Sequence, residues 1–304
     1  MADGPAPRLA VDLGGTTTRA ALVQGTRVQR REEMPTCAKD GPDRLIDRLI
    51  QLVTQVQARP SSPIGVACTG RVHGGRVTAV NAATMPGWTG VPLRAKLAEA
   101  LGVPVHVLND ARAATLGEWH ARGAGEAQNF MFVTVSTGIG SGLVLGGRLH
   151  DPSGGHDVGL GFTRGLNGEA LEFGTSGRGL DRAAHNADYA GVAALFDAAE
   201  RGDRRAQEVL RAPLSALADR LHDAHCLLGL DIICLGGSVG LRTYTREVLA
   251  AAFAGPGNPE LQLAHHGPDA GLIGAALHAA QKELKEIGTG ASCRQLPFEL
   301  IESP

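Results

Sequence analysis

Leu9–Val23 reads LAVDLGGTTTRAALV: a short apolar strand ending in Asp12, a tight turn at Gly14-Gly15, three threonines and a second apolar strand. Glycines at a strand-to-strand turn allow positive φ and let a ligand lie against bare backbone. Thr16, Thr17 and Thr18 add hydroxyl donors, and Asp12 places a carboxylate at the mouth of the turn. Such a turn can seat a polyphosphate and its metal. The plainer alternative is a solvent-facing hairpin with ordinary turn chemistry.

A second stretch repeats the plan. Phe132–Leu145, FVTVSTGIGSGLVL, has an alternating apolar strand, a Ser-Thr-Gly-x-Gly-x-Gly turn and a returning strand. Two such hairpins imply two copies of one phosphate-gripping unit, one in each half of the chain. Neither is a P-loop, because no Gly-Lys-Ser/Thr follows. Neither is a Rossmann turn, because each returns into a strand and not a helix.

The 304 residues suffice for two domains, each with its own core. Hydrophobic residues at 43% and charged residues at 20% are ordinary globular usage. A formal net charge of −2 leaves no basic surplus to hold a nucleic-acid backbone. Cys37, Cys68, Cys226, Cys234 and Cys293 show no paired spacing, so neither a disulfide framework nor a metal cluster is implied, and a cytoplasmic protein is expected. The opening MADGPAPR lacks the apolar core of a signal peptide, and no apolar run reaches the length of a membrane span.

Between and after the hairpins, strand and helix patterns alternate. Leu45, Ile46, Leu49, Ile50, Val53 and Val56 predict an amphipathic helix over 43–57. Ile64–Cys68 reads as a buried strand running into Thr69-Gly70-Arg71, and Val105–Leu108 as another ending at Asn109-Asp110, with a helix over 111–120 directly behind it. In open α/β sheets such strand ends face the ligand. Residues 121–128, rich in Gly and Ala, read as a linker, and 146–168 as an irregular glycine-rich segment. The longest helix is expected over 205–228. Asp231–Leu235 is a buried strand feeding Gly236-Gly237, 269–285 a last helix, and the remainder a tail.

Asp110 is the first candidate for chemistry: a carboxylate at a strand end, beside Asn109, can accept a proton from a substrate hydroxyl. It is equally a good N-cap for the helix behind it. Glu172 with Ser176-Gly177-Arg178 forms a second candidate, against a capped helix and a solvated turn. Asp157 lies in the glycine-rich segment, where aspartates often serve turns. Backbone amides after Gly236-Gly237 suit a phosphate or the edge of a nucleotide, or simply a strand-to-helix turn. His156, His265 and His266 have no partners at metal-ligand spacing and read as surface or loop histidines.

In this order the stretches resemble the sugar kinases of the ROK family, within the actin–hexokinase–Hsp70 superfamily. DLGGTTTR is similar to the first phosphate motif and TVSTGIGSG to the second. LGGSVG resembles the adenosine motif, DAGLIGAAL the final connecting helix, and LNDARAATLGE the segment holding the catalytic aspartate. Within the family, FVTVSTGIGSG, LEFGTSGRGL, GGSVGL and AHHGPDAGLIGAAL resemble the branch of bacterial N-acetylmannosamine kinases. The resemblance implies an α/β fold of two ribonuclease-H-like, actin-like ATPase domains around a central cleft that sugar binding closes. Residues 1–120 would form the first domain and 121–285 the second, with its last helix returning toward the first. It also implies ATP-dependent phosphorylation of the 6-hydroxyl of an aminosugar or hexose, N-acetylmannosamine foremost, with a glucokinase, an N-acetylglucosamine kinase or an inactive sugar-binding protein as alternatives.

The same resemblance distributes roles. Asp110 would be the base, and Gly70, Arg71, Asn81, Asn109, Asp110, Asp157 and Glu172 would meet the sugar. Asp12, Gly14, Gly15, Thr16, Thr17, Thr137, Gly138, Gly236 and Gly237 would hold ATP, with Mg²⁺ near Asp12. A homodimer is implied, with neither nucleic acid nor membrane as partner. Repressors of the family carry a helix-turn-helix before the first phosphate motif, and the eight residues before Leu9 leave no room for one. One segment departs. Where the family has Glu-x-Gly-His and then a cysteine-rich zinc loop, this chain has Asp157-Val158-Gly159-Leu160 and no cysteine through Leu171, so no structural zinc is expected.

Overall fold

The computed structural model describes residues 5–121, 127–152 and 158–286. They divide into two units. Among the described residues, the first holds 5–121, 147–152 and 268–286, and the second 127–146 and 158–267.

In the first unit, β1 (Arg8–Leu13), β2 (Thr17–Gln24) and β3 (Arg27–Pro35) form an antiparallel meander. Pro42 opens α1 (Pro42–Val56), whose apolar stripe, Leu45, Ile46, Leu49, Leu52, Val53 and Val56, is buried. Then follow β4 (Ile64–Cys68), the small hairpin β5 (Arg71–His73) and β6 (Arg76–Thr78), α2 (Leu93–Leu101), β7 (Val105–Asn109) and α3 (Asp110–Ala121). The sheet order is β3-β2-β1-β4-β7, with β1, β4 and β7 parallel. Leu13, Cys68 and Asn109 are aligned in register, so three strand ends finish side by side.

The second unit begins the same way. An antiparallel pair, β8 (Phe130–Val135) and β9 (Ile139–Leu145), is followed by β10 (Arg148–Leu149), a two-residue strand in the segment that groups with the first unit. Back in the second unit come α4 (Leu171–Thr175), α5 (Gly177–Asn186), α6 (Val192–Glu200) and the 25-residue α7 (Arg204–Leu228). Asp203 caps α7 by accepting from the Arg205 and Ala206 amides, and Gly229, at φ 57°, ends it. β11 (Ile232–Gly236), α8 (Gly237–Gly240), α9 (Thr243–Ala252) and β12 (Glu260–Leu263) complete the unit. Within it the strands run β9-β8-β11-β12, with β8, β11 and β12 parallel. The hairpin-then-parallel order of the first sheet therefore recurs.

The last helix, α10 (Ala270–Glu286), packs in the first unit against β1, β4 and α3. Its backbone comes so close that side chains are excluded. A Cβ at Gly274 would lie 1.7 Å from the Ala113 carbonyl oxygen, and one at Gly65 1.9 Å from that of Ala275. The closely spaced small residues of Asp269–Leu277 thus serve helix packing.

Candidate active site

The turn between β1 and β2 needs its glycines for room. Neither Gly14 nor Gly15 has positive φ, which corrects the expectation drawn from turn chemistry. A Cβ at Gly14 would stand 2.8 Å from the Thr17 carbonyl oxygen, and one at Gly15 2.7 Å from the Thr84 methyl. Of the three threonines, Thr18 is turned inward: its hydroxyl meets that of Thr36 at 2.9 Å, and Thr36 donates to the Gly14 carbonyl at 2.7 Å. Thr16 is exposed and Thr17 partly so, leaving these two hydroxyls, not three, for a ligand.

Asp12 pairs with Arg19 across β1 and β2, with Arg19 Nη1 3.3 Å from Asp12 Oδ2. Burial, and after it the charge of Asp110, push the Asp12 carboxyl up to about 6 despite that arginine. Burial likewise raises Asp110. Two desolvated carboxylates therefore share one electrostatic environment, at the ends of β1 and β7 on either side of β4. The buried Cys68 thiol between them is held neutral, raised by burial and by both carboxylates.

At the end of β7 the two polar neighbours divide their work. Asn109 Oδ1 accepts from the Arg112 amide at 3.1 Å, the bond a helix cap makes, while its Nδ2 donates to the Gly70 carbonyl at 3.1 Å. Asp110 Oδ1 accepts from the Ala111 amide at 2.8 Å and the carboxyl also takes a bond from the Thr69 side chain. The reach to the third amide, read from the sequence as an alternative role of Asp110, thus belongs to Asn109. Gly70 needs to be glycine, at φ 110° with a Cβ position 2.8 Å from the Thr78 carbonyl oxygen. Arg71 is exposed on β5. Asn81 is also exposed, but its Oδ1 closes a turn of its own on the Ala83 amide.

Thr69, in the strand-end loop expected to face the ligand, bonds Asp110. Two residues that sequence reasoning passed over also support this end of the sheet. Arg19 pairs with Asp12. Arg112, buried at 6% exposure on α3, donates to Asp151 at 2.8 Å. Arg19 could have been found, since the register of a two-residue-period hairpin sets it opposite Asp12. For Arg112 no sequence signal pointed inward.

In the second unit the turn Ser136–Gly138 between β8 and β9 lies against α4 and α5. Glu172 is on α4, not on a solvated turn, and its Oε2 accepts from the Ile139 amide at 2.8 Å. A Cβ at Gly138 would stand 2.8 Å from that same oxygen. Ser176 caps α5 through the Gly179 amide. Gly237 does take positive φ, 84°, and a Cβ there would lie 2.4 Å from the Val135 carbonyl oxygen, while one at Gly236 would lie 2.9 Å from the Phe132 ring. The helix these glycines open, α8, is only four residues long. Asp157 and His156 lie outside the described residues. Among the described residues, no three His, Cys, Asp or Glu side chains gather as a metal cluster requires. No described helix is long and apolar enough to cross a membrane.

The sequence profile described as the ROK family matches residues 8–282. The chain is 36% identical over 281 residues to the bifunctional enzyme NanE/NanK of Brucella melitensis, covering 90% of this chain but spanning about half, 54%, of that relative. It is 34% identical over 297 residues to an N-acetylmannosamine kinase of Escherichia coli O6:K15:H31, covering 91% of this chain and 99% of the relative. Among solved structures, the ROK hexokinase of Thermus thermophilus superposes with a TM-score of 0.78 at 30% identity, over 92% of this chain and 99% of that one. The two repeated sheets are those of the actin-like ATPase fold. The chain belongs to the ROK family.

Proposed function

We propose that the protein is an ATP-dependent sugar kinase that phosphorylates the 6-hydroxyl of an aminosugar or hexose, with N-acetylmannosamine as the first substrate to test. One observation carries the reading: Asp12 and Asp110, both desolvated and each raised by burial, stand at the ends of β1 and β7, on either side of the end of β4 and close enough for the Asp110 charge to raise Asp12, next to a glycine turn. A relative at 34% identity over nearly its whole length is named N-acetylmannosamine kinase, which supports that choice of substrate.

In this reading Asp110 takes the proton of the attacking hydroxyl, and its raised pKa, which makes it a better base than a solvated aspartate, supports that role. Asn109 and the Gly70 loop fix where that hydroxyl lies, and Glu172 accepts a further sugar hydroxyl. Gly14–Thr17 and Thr137-Gly138 face the phosphates, and Gly236-Gly237 the adenosine. Asp12 fits a hard cation, because a buried carboxylate whose charged form is disfavoured by burial and by the Asp110 charge is relieved by positive charge. Magnesium there would neutralise charge on the transferred phosphoryl group. A homodimer in the cytoplasm is the working expectation.

The test is ADP release on N-acetylmannosamine, N-acetylglucosamine, glucose, mannose, fructose and allose. Turnover with the highest kcat/KM on N-acetylmannosamine supports the proposal in full. Preference for glucose moves the substrate to the hexoses, as the likeness to the Thermus hexokinase would suit. Binding of sugar without turnover on any of them overturns it.

A further inference from the structure

The outer side of the second phosphate turn is held by two consecutive helices. Gly177 donates its amide to the Ser136 carbonyl at 2.6 Å. Arg178 donates from Nε to the Thr137 carbonyl at 3.2 Å, and its own amide faces the same oxygen at 3.5 Å. The Ser136 amide donates to the Gly138 carbonyl at 2.9 Å. All three carbonyls of the turn are thus engaged within the protein. Glu172 adds a fourth tether through the Ile139 amide, and Arg178 Nη2 reaches Glu172 Oε1 at 3.4 Å.

This matters because of sign. A turn that grips phosphate must aim N–H groups at the anion and turn its carbonyl oxygens away, since those oxygens repel phosphate oxygens. The turn has no helix behind it to impose that orientation, because it runs from strand to strand. The imposing groups are instead the amide of Gly177 and the side chains of Arg178 and Glu172, which leave the Thr137 and Gly138 amides for the ligand. The Arg178 guanidinium is also half exposed, so its positive charge stays beside the turn without full neutralisation by Glu172.

We infer that Arg178 and Glu172 are a positioning pair for polyphosphate, setting the second turn so that its amides face the nucleotide. The inference rests on the nucleotide-binding part of the proposed function and extends it. Glu172, assigned above to the sugar, acts on the phosphates as well, through Ile139. Arg178 touches neither substrate and acts through Thr137 and Glu172.

The test uses the full chain without sugar, titrated calorimetrically with Mg·AMPPNP and, separately, with adenosine, which has no phosphate. Arg178→Met and Glu172→Ala are each expected to weaken AMPPNP about tenfold, the size of a lost charge-assisted hydrogen bond, while adenosine affinity stays within about twofold. Arg178→Lys restores part of the loss, since it keeps charge but not the fork. AMPPNP affinity unchanged in both variants overturns the inference, as does an equal loss for adenosine, which would mark general damage to the fold. Should wild type bind AMPPNP but phosphorylate no sugar, the kinase reading fails and the positioning pair is judged on the titrations alone. If wild type binds no AMPPNP, both fail.

Discussion

Asn109 bridges two elements with one side chain, donating to the Gly70 carbonyl at 3.1 Å and accepting from the Arg112 amide at 3.1 Å. The loop after β4 and the start of α3 are therefore held by the same amide group, and Asp110 sits at the junction. Removing the side chain leaves a buried carbonyl and a helix amide without partners. Asn109→Ala should lower the unfolding free energy by about 2 kcal/mol and raise the sugar KM. Urea unfolding and substrate kinetics check this, and a variant with wild-type midpoint and KM would show that the bridge is incidental.

Two glycines three residues apart on α10 should behave oppositely. A Cβ at Gly274 falls 1.7 Å from the Ala113 carbonyl oxygen, so Gly274→Ala must push α10 off α3 and should cost about 3 kcal/mol or more, or prevent folding. At Gly271 the nearest atom to a Cβ is Asp12 Oδ1 at 3.5 Å, an ordinary contact, so Gly271→Ala should fold with stability within about 1 kcal/mol of wild type. Thermal unfolding of the pair decides it; equal Tm values would mean that the close helix approach carries no weight.

These examples also mark what the sequence made legible. Period-two and 3.6-residue patterns located the strands and helices, and glycine turns repeated at Gly14 and Gly138 exposed the duplication. Local patterns do not report how near two backbones come, so Gly14 looked like a residue chosen for positive φ when it is chosen for space. They also do not report burial of a charge. Arg112 lies on a helix whose buried residues include Arg112, Thr115, Glu118 and His120, and whose polar side chains therefore gave no clean stripe to read. Glu172 looked like part of a turn because α4 is five residues long, too short for a periodic signal. The candidate carboxylates were legible because strand ends collect ligands.

A buried histidine, His120, and a half-buried one, His278, make the first unit sensitive to acid. Burial lowers His120 to about 4; for His278 burial, together with Lys282, Arg112, His106 and Lys285, gives about 3. In the unfolded chain both titrate near 6.5, so between 6.5 and those values the unfolded state binds protons that the fold refuses. Their contribution is whole above pH 6.5 and is lost as pH falls, by an amount on the order of several kcal/mol. Asp12 acts with opposite sign: raised to about 6, it becomes less costly as pH falls through 6 toward the ordinary aspartate value of 3.8. The histidines outweigh it. His278→Gln should flatten the decline in stability between pH 6.5 and 4, measured by urea unfolding across pH, whereas an unaltered decline would place the acid sensitivity elsewhere.

The pairing of Asp110 with a sugar hydroxyl is tested most directly by Asp110→Asn, which keeps the size of the side chain and an oxygen to accept the Ala111 amide but removes the base. Transfer of the labelled γ-phosphoryl group of ATP to N-acetylmannosamine, or to whichever sugar the panel selects, is followed alongside calorimetric binding of that sugar. The variant should lose about 10²–10⁴-fold in kcat while its sugar affinity stays within a few-fold of wild type. A variant that transfers phosphate at the wild-type rate would contradict the assignment of Asp110 as the base.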